Sequence, residues 1–480
     1  MTSTSLTPAL FIAGILLWII SGFMLIPLAT ALVCHEPQFW GFAAATILSL
    51  FLGGLLKLAF EQSDEAAFKV RSAFFFTAFS WTCVSFVSAI PFWFSESDMT
   101  FSLSFLESTS ALTTTGFSAF SELSKAPLSI IVWRSLLQWL GGLGISIMAL
   151  TLFPFLKVGG MQLFASESSS HYEKILPKVS QIAKFLFWLY TALTVAAIGC
   201  LWLAGMPPLD AFCYGMGTVS TSGLSLLSGS VSYLENTSVL SILMIFMFLS
   251  ASPLLLAVQV LNGNPRAYLL DPQMRAYTKT AFFAFLFVSI ALFFVKKSTS
   301  LGDLHYTAFN VLSMLTTAGF HAYIPQQWPT FIELTFIVLC LIGGCTGSTA
   351  GGIKIFRFQI IYRAIRAQTY KMIMPHGIFT PVYDQKAVSF GAIYAVITLV
   401  VMFMLHFFGM ALLLLANNLP VTHSLELSAN ILSNCGAHFF NMDLAAMTPT
   451  THWIISTGML LGRLEFLTIW VLFVPFFWRR

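Results

Sequence analysis

The sequence predicts an all-α membrane protein with ten spanning helices. Eight belong to four helix–pore-helix–helix repeats around a pseudo-fourfold pore, and two form an extra N-terminal pair. Three observations predict this. Hydrophobic residues make up 57% of the 480 and charged residues 9%, against about 25% charged in a soluble domain. Mean hydropathy is +0.84 and 49 residues are Phe, more apolar surface than a soluble globule can hide. The third observation is a polar, glycine-terminated segment that recurs four times along the chain.

The first element runs through Pro8–His35, which carries no Lys, Arg, Asp or Glu. It is too long for a signal-peptide core and no basic residue precedes it, so it reads as a retained first helix. Crossing a hydrocarbon core takes about 20 residues. Stretches of that length with almost no charge follow at 9–34, 37–56, 72–95, 135–156, 185–209, 236–265, 334–353, 387–418 and 444–462, the last continuing past Arg463 and Glu465 to Trp478. A tenth, 280–295, is shorter, but Lys279 and Lys296 can snorkel at its ends. Seven cysteines are scattered with no C-x-x-C, which argues against a disulfide framework or a zinc site.

Orientation follows from the basic residues. With the N-terminus inside, positions 57, 69, 71, 157, 174, 178, 184, 266, 275, 279, 354, 357, 363, 366, 371, 386, 479 and 480 fall on the inner side. Only 125, 134, 296 and 297 fall outside, and Arg463 lies within a span. That asymmetry sets the N- and C-termini on the cytoplasmic side of a plasma membrane.

Four segments, about 101–120, 207–226, 303–322 and 422–440, are too short and polar to span yet too apolar for loops. Each sits between two spans on the outer side, as re-entrant hairpins lining a water-filled cavity would. They end in Thr113-Thr114-Thr115-Gly116-Phe117, Ser220-Thr221-Ser222-Gly223-Leu224, Thr316-Thr317-Ala318-Gly319-Phe320 and Ser433-Asn434-Cys435-Gly436-Ala437. The repeat units are 66–157, 158–265, 266–371 and 372–480, after the N-terminal pair at 1–65. A half-helix that ends at mid-membrane aims its partly negative C-terminus at the cavity. Glycine permits the backbone conformations and close approaches of the turn that follows. Four such turns around one axis can replace a cation's hydration shell with carbonyl oxygens. These residues therefore form a candidate K+ selectivity filter.

Three runs carry a family resemblance: Gly343-Gly344-Cys345-Thr346-Gly347-Ser348-Thr349-Ala350-Gly351-Gly352-Ile353-Lys354, Trp133-Arg134-Ser135-Leu136-Leu137-Gln138-Trp139-Leu140-Gly141-Gly142, and Gly462-Arg463-Leu464-Glu465. From about residue 70 onwards the chain resembles the Trk/Ktr/HKT superfamily of potassium transporters, most of all its bacterial TrkH branch. The N-terminal pair is similar to the one in that branch and absent from shorter Ktr subunits. The second and fourth filter segments depart from some relatives. The resemblance implies gated, low-affinity Trk-type K+ uptake in the inner membrane. Transported K+ would be the only ligand, with no organic cofactor in the chain. It also implies a homodimer above a ring of cytosolic nucleotide-binding regulatory subunits, similar to TrkA, with no nucleic-acid partner.

The same resemblance implies a gate beneath the filter, formed by residues 343–352 with Arg463. Independently, five glycines in ten residues would break a helix at mid-membrane, and broken backbone there suits a cavity-lining loop. Packing of small residues is the plainer alternative. A phosphate loop is not, because Lys354 does not follow glycine as that motif demands. Arg463 within a span points to a cavity or a partner. Glu465, two residues on, does not share its helix face. Glu107, Asp210, Asp303 and Glu426 read as acidic groups at the outer starts of the half-helices. His321 and His438 follow two of the glycines and read as solvated mouth residues. Lys354, Arg357, Arg363, Arg366 and Lys371 form an inner basic cluster that suits anionic lipid or the expected partner.

Two other function classes compete with the pore. A K+ symporter coupled to H+ or Na+ keeps the same architecture, whereas a transporter of another fold would place half-helices on both faces. An enzyme would need a nucleophile–base or metal constellation, and the nine histidines form no H-E-x-x-H set. No catalytic residues are expected.

Overall fold

A computed structural model describes residues 6–61, 70–95, 99–120, 126–156, 158–160, 179–223, 236–296, 301–322, 329–384, 386–436 and 444–478. Leu224, Ala437, His438 and the basic residues at 69, 125, 157, 174, 178, 297, 479 and 480 lie outside them.

The chain is almost wholly helical. In order, the helices are α1 (Thr7–Val33), α2 (Phe39–Ala59), α3 (Val70–Trp93), α4 (Phe101–Leu112), α5 (Leu128–Leu156), α6 (Val179–Leu203), α7 (Pro208–Val219) and α8 (Thr237–Ser250). Two short helices, α9 (Leu256–Leu261) and α10 (Arg266–Leu270), lead into α11 (Pro272–Lys296), α12 (Leu301–Leu315), α13 (Thr330–Ile342) and α14 (Ile355–Ile373). A two-stranded hairpin (Val382–Tyr383 with Lys386–Ala387) precedes α15 (Phe390–Ala416), α16 (Val421–Ser433), α17 (Pro449–Arg463), α18 (Leu467–Phe473) and α19 (Pro475–Trp478).

Among the described residues, seven helices (α1, α2, α3, α5, α6, α11 and α15) are long and apolar enough to cross a membrane. The chain is an integral membrane protein. Three expected spans take other forms. The stretch 236–265 breaks after Ser250 and is helical again only over Leu256–Leu261. The stretch 334–353 stops at Ile342, where Gly343 adopts φ +72°. The last span is broken between α17 and α18, whose axes meet at 110° across Leu464–Phe466. Glu465 there sits at φ +54°.

Burial sorts the helices. In α5 67% of the most apolar window is buried, in α11 only 17%; α5 therefore lies inside the bundle and α11 on its outside. The N-terminal pair packs through small residues: a Cβ on Gly14 would come within 2.8 Å of the Gly53 carbonyl oxygen. Ser49 Oγ also donates to Leu17 O at 2.8 Å across the pair.

The loop between α1 and α2 ties that pair to α5. Glu36 accepts hydrogen bonds from the Leu128 and Ser129 amides at 2.8 and 3.1 Å and from the Ser129 hydroxyl. It thereby satisfies orphan donors at the N-terminus of α5 and places an anion at the positive end of its dipole. Glu36→Ala is expected to cost about 1–2 kcal/mol, read as a lower melting temperature in detergent. An unchanged melting temperature would show that the cap is not made.

Candidate functional site

The four half-helices are α4, α7, α12 and α16, and all four end alike. In α4 the Thr114 amide donates to Ala111 O and the Thr115 amide to Ser110 O. The same pair of bonds links Thr221 to Thr218 and Ser222 to Gly217, Thr317 to Met314 and Ala318 to Ser313, and Asn434 to Ile431 and Cys435 to Asn430. This is the Schellman arrangement, which requires a left-handed residue after the helix. That residue is Thr114, Thr221, Thr317 or Asn434, at φ between 52° and 55°. Glycine normally occupies such a position, and the left-handed region costs an L-residue about 1–2 kcal/mol. A β-branched residue held there three times is strain of the kind found at functional sites.

Each helix end is followed by its glycine, and the turns lie against one another. A Cβ on Gly116 (φ +96°) would strike the Ser222 carbonyl oxygen; one on Gly223 would strike Ala318 O, and one on Gly436 would strike Thr115 O. Contacts thus run from the first segment to the second, the second to the third, and the fourth to the first. Polar side chains of these residues bond both within the set, where Asn434 Nδ2 donates to Thr115 Oγ1 at 3.1 Å, and outside it. Thr113 Oγ1 donates to Thr109 O at 2.7 Å, Ser222 Oγ bonds Gln138 Oε1, and Asn434 Nδ2 donates to Met459 O at 2.9 Å. Helices α5 and α17 approach through glycine, because a Cβ on Gly141 would strike Leu112 O and one on Gly462 would strike Leu432 O.

The loop 343–354 lies directly against these helix ends. The Gly351 amide donates to Thr317 Oγ1 at 2.8 Å, the Gly352 amide to Ser433 O at 3.1 Å, and Thr221 Oγ1 to Thr349 Oγ1 at 3.3 Å. Three of the four segments are therefore in contact with the loop. Elsewhere the loop is held by backbone bonds from Cys345 to Ala251 O at 2.9 Å and from Leu254 to Gly347 O at 3.1 Å. Gln273 accepts from the Thr346 amide at 3.0 Å. Arg463, buried at 4% exposure, donates from Nη1 to Thr349 O at 3.2 Å. Loop and arginine, far apart in sequence, meet.

Several sequence expectations need correcting. Glu107 and Glu426 do not start their half-helices; both lie mid-helix and buried, and the α4 cap is Thr100. Asp210 and Asp303 do lie in first turns. Arg134, expected as a charge outside its span, is not exposed. It is buried within α5 and ion-paired to Glu107, which offsets the cost of its charge. Lys354 and Arg357 are buried and leave the basic cluster to Arg363, Arg366 and Lys371. Arg357 donates to both oxygens of Glu465 at 2.7 Å, to Gly159 O at 3.2 Å and to Ile353 O at 2.9 Å. His321 is half-buried rather than solvated. Gln138 and Gln273 were not singled out by sequence reasoning, although Gln138 stands inside one of the three diagnostic runs.

Comparison with known proteins agrees with this architecture. Residues 40–480 match the family model "TrkH: Cation transport protein", a match that begins earlier than the resemblance from about residue 70. The chain is 31% identical over 476 residues to the Trk system potassium uptake protein TrkH of Salmonella typhimurium, covering 98% of each. It is 31% identical over 480 residues to the Trk system potassium uptake protein TrkI of Halomonas elongata, covering 98% of this chain and 97% of that one. The crystal structure of the potassium transporter TrkH from Vibrio parahaemolyticus superposes with a TM-score of 0.89 at 28% identity, over 100% of both chains. The chain belongs to the TrkH family of cation transport proteins.

Proposed function

We propose that this chain carries K+ into a bacterial cell through a gated pore in the inner membrane, with both termini cytoplasmic. The observation that carries the reading is the set of four glycine turns at four half-helix C-termini, packed one against the next. Helix C-termini favour cations, and backbone carbonyls can stand in for a hydration shell. Filter residues would be Thr113–Gly116, Ser220–Gly223, Thr316–Gly319 and Ser433–Gly436. The gate would be residues 343–352 with Arg463. The four pore repeats and N-terminal pair divide the chain at the boundaries given above. Relatives named as potassium uptake proteins point to the same ion.

The partners belong to this proposal too. A homodimer would sit on a cytosolic ring of nucleotide-binding subunits, and the regulatory nucleotide would bind that ring, since no segment of this chain reads as a nucleotide-binding domain. A nucleotide acts on the gate only through differential affinity for two states of the ring.

The test is ion flux in proteoliposomes under imposed gradients. K+ flux that follows the K+ gradient alone, and exceeds Na+ flux, is expected. Flux driven by an imposed H+ or Na+ gradient would instead make the chain a symporter, and equal K+ and Na+ flux would overturn the filter. Nucleotide sensitivity of the isolated chain would remove the need for a ring.

A further inference from the structure

The outgoing limbs of the first and third turns are held by the same device, built from different chemistry. In the first, Glu107 stands nine residues before Gly116 and Ala119 three after it. Glu107 Oε2 accepts the Ala119 amide at 2.6 Å. In the third, Asn310 stands nine residues before Gly319 and Ala322 three after it. Asn310 Oδ1 accepts the Ala322 amide at 3.1 Å and its Nδ2 donates to Ala322 O at 2.9 Å. Both side chains are buried, with exposures of 0% and 3%. The corresponding residues of the other two half-helices are Tyr214 and Leu427.

The two clasps differ in charge. Asn310 is neutral and pairs with both backbone groups of Ala322. Glu107 is a carboxylate, and its ion pair with Arg134 balances it. The Arg134 guanidinium also lies 5.7 Å from the ring of Phe120, the residue after the clasped alanine. A second bond, from Ser110 Oγ to Phe117 O at 2.7 Å, holds the same limb nearer the glycine. A half-helix therefore grips the strand that leaves its own turn, and Arg134 keeps the grip electrically neutral.

We infer that Glu107 and Asn310 are positioning residues for ion selection: they hold the limbs beyond Gly116 and Gly319 so that the carbonyls of those turns keep their spacing, and Arg134 cancels the charge of the first clasp. The inference rests on the K+ filter reading. Neither residue need touch the ion, and each acts through the backbone it holds.

The experiment measures the K+/Na+ uptake ratio and total K+ flux for variants at matched membrane levels, with Gly116→Ser in the same assay. Glu107→Gln keeps the acceptor but leaves Arg134 a buried cation beside the pathway, so K+ flux falls. Adding Arg134→Gln to it removes the charge and keeps the acceptor, restoring flux with a ratio within about twofold of wild type. Glu107→Leu with Arg134→Leu removes clasp and charge together. Asn310→Leu removes the neutral clasp. Each is expected to lower the K+/Na+ ratio about fivefold, the equivalent of one hydrogen bond. Should the double leucine variant fail to reach the membrane, Asn310→Leu decides. A wild-type ratio in the leucine variants, while Gly116→Ser lowers it, overturns the clasp and leaves the filter standing. A ratio that Gly116→Ser also leaves untouched overturns both.

Discussion

Gly116→Ser is expected to lower the K+/Na+ uptake ratio about tenfold or more while the protein still reaches the membrane. The argument has two parts. At φ +96° an L-side chain is strained whatever the surrounding space, at a cost of about 1–2 kcal/mol. The space is also filled: the added Cβ would strike the Ser222 carbonyl oxygen, and Gly436 Cα lies 3.3 Å from it. Relief requires the first turn to move away from the second and fourth, and that motion changes the distances among the carbonyls proposed to coordinate the ion. A ring tuned for K+ then loses its advantage over Na+. The measurement is paired K+ and Na+ uptake in a strain lacking other K+ uptake. An unchanged ratio at normal membrane abundance would mean that the four turns do not select the ion.

What was legible in the sequence was whatever repeats or has a local cause. The four Thr/Ser–x–x–Gly endings were visible because each is a local signal, and their recurrence between apolar stretches fixed their topological role. Length and hydropathy located α1, α2 and α3 closely. Long-range pairing of charges was not legible. Arg134 was counted on the outer side because it precedes the apolar stretch 135–156, and nothing near it in sequence showed that it is buried. Its partner Glu107, on another helix, makes burial tolerable. Arg357 and Glu465, separated by 108 positions, form a buried ion pair for the same reason, and neither residue carries a local sign of it. The break at Leu464–Phe466 was hidden too. It contains no proline or glycine, and its left-handed residue is Glu465, whose carboxylate is held by Arg357. Left-handed threonines likewise contradict local propensity. They are set by tertiary packing around the turns.

Arg463→Ala is expected to raise basal K+ flux about tenfold, and deletion within 345–350 to raise it at least as far. Arg463 is a buried guanidinium whose Nη1 holds the Thr349 carbonyl, while its Nε and Nη2 make no hydrogen bond among the described residues. So costly a placement is rare unless it serves a function. Two effects act together on substitution. A hydrogen bond from a charged donor, worth about 1.5–3 kcal/mol, no longer holds the loop, which shifts a closed–open equilibrium by about tenfold or more. A positive charge beside the pathway also disappears, which lowers the barrier to a cation. The loop itself touches the second, third and fourth turns of the proposed filter through Thr349, Gly351 and Gly352, so shortening it removes matter packed against those turns. Glu465→Gln separates gating from general damage. It leaves Arg357 buried without its counter-charge, a loss of about 3–5 kcal/mol, and should lower the amount of folded protein without raising flux per molecule. If Arg463→Ala and the loop deletion leave flux per inserted molecule unchanged or reduced, the loop is a packing element and the gate lies elsewhere.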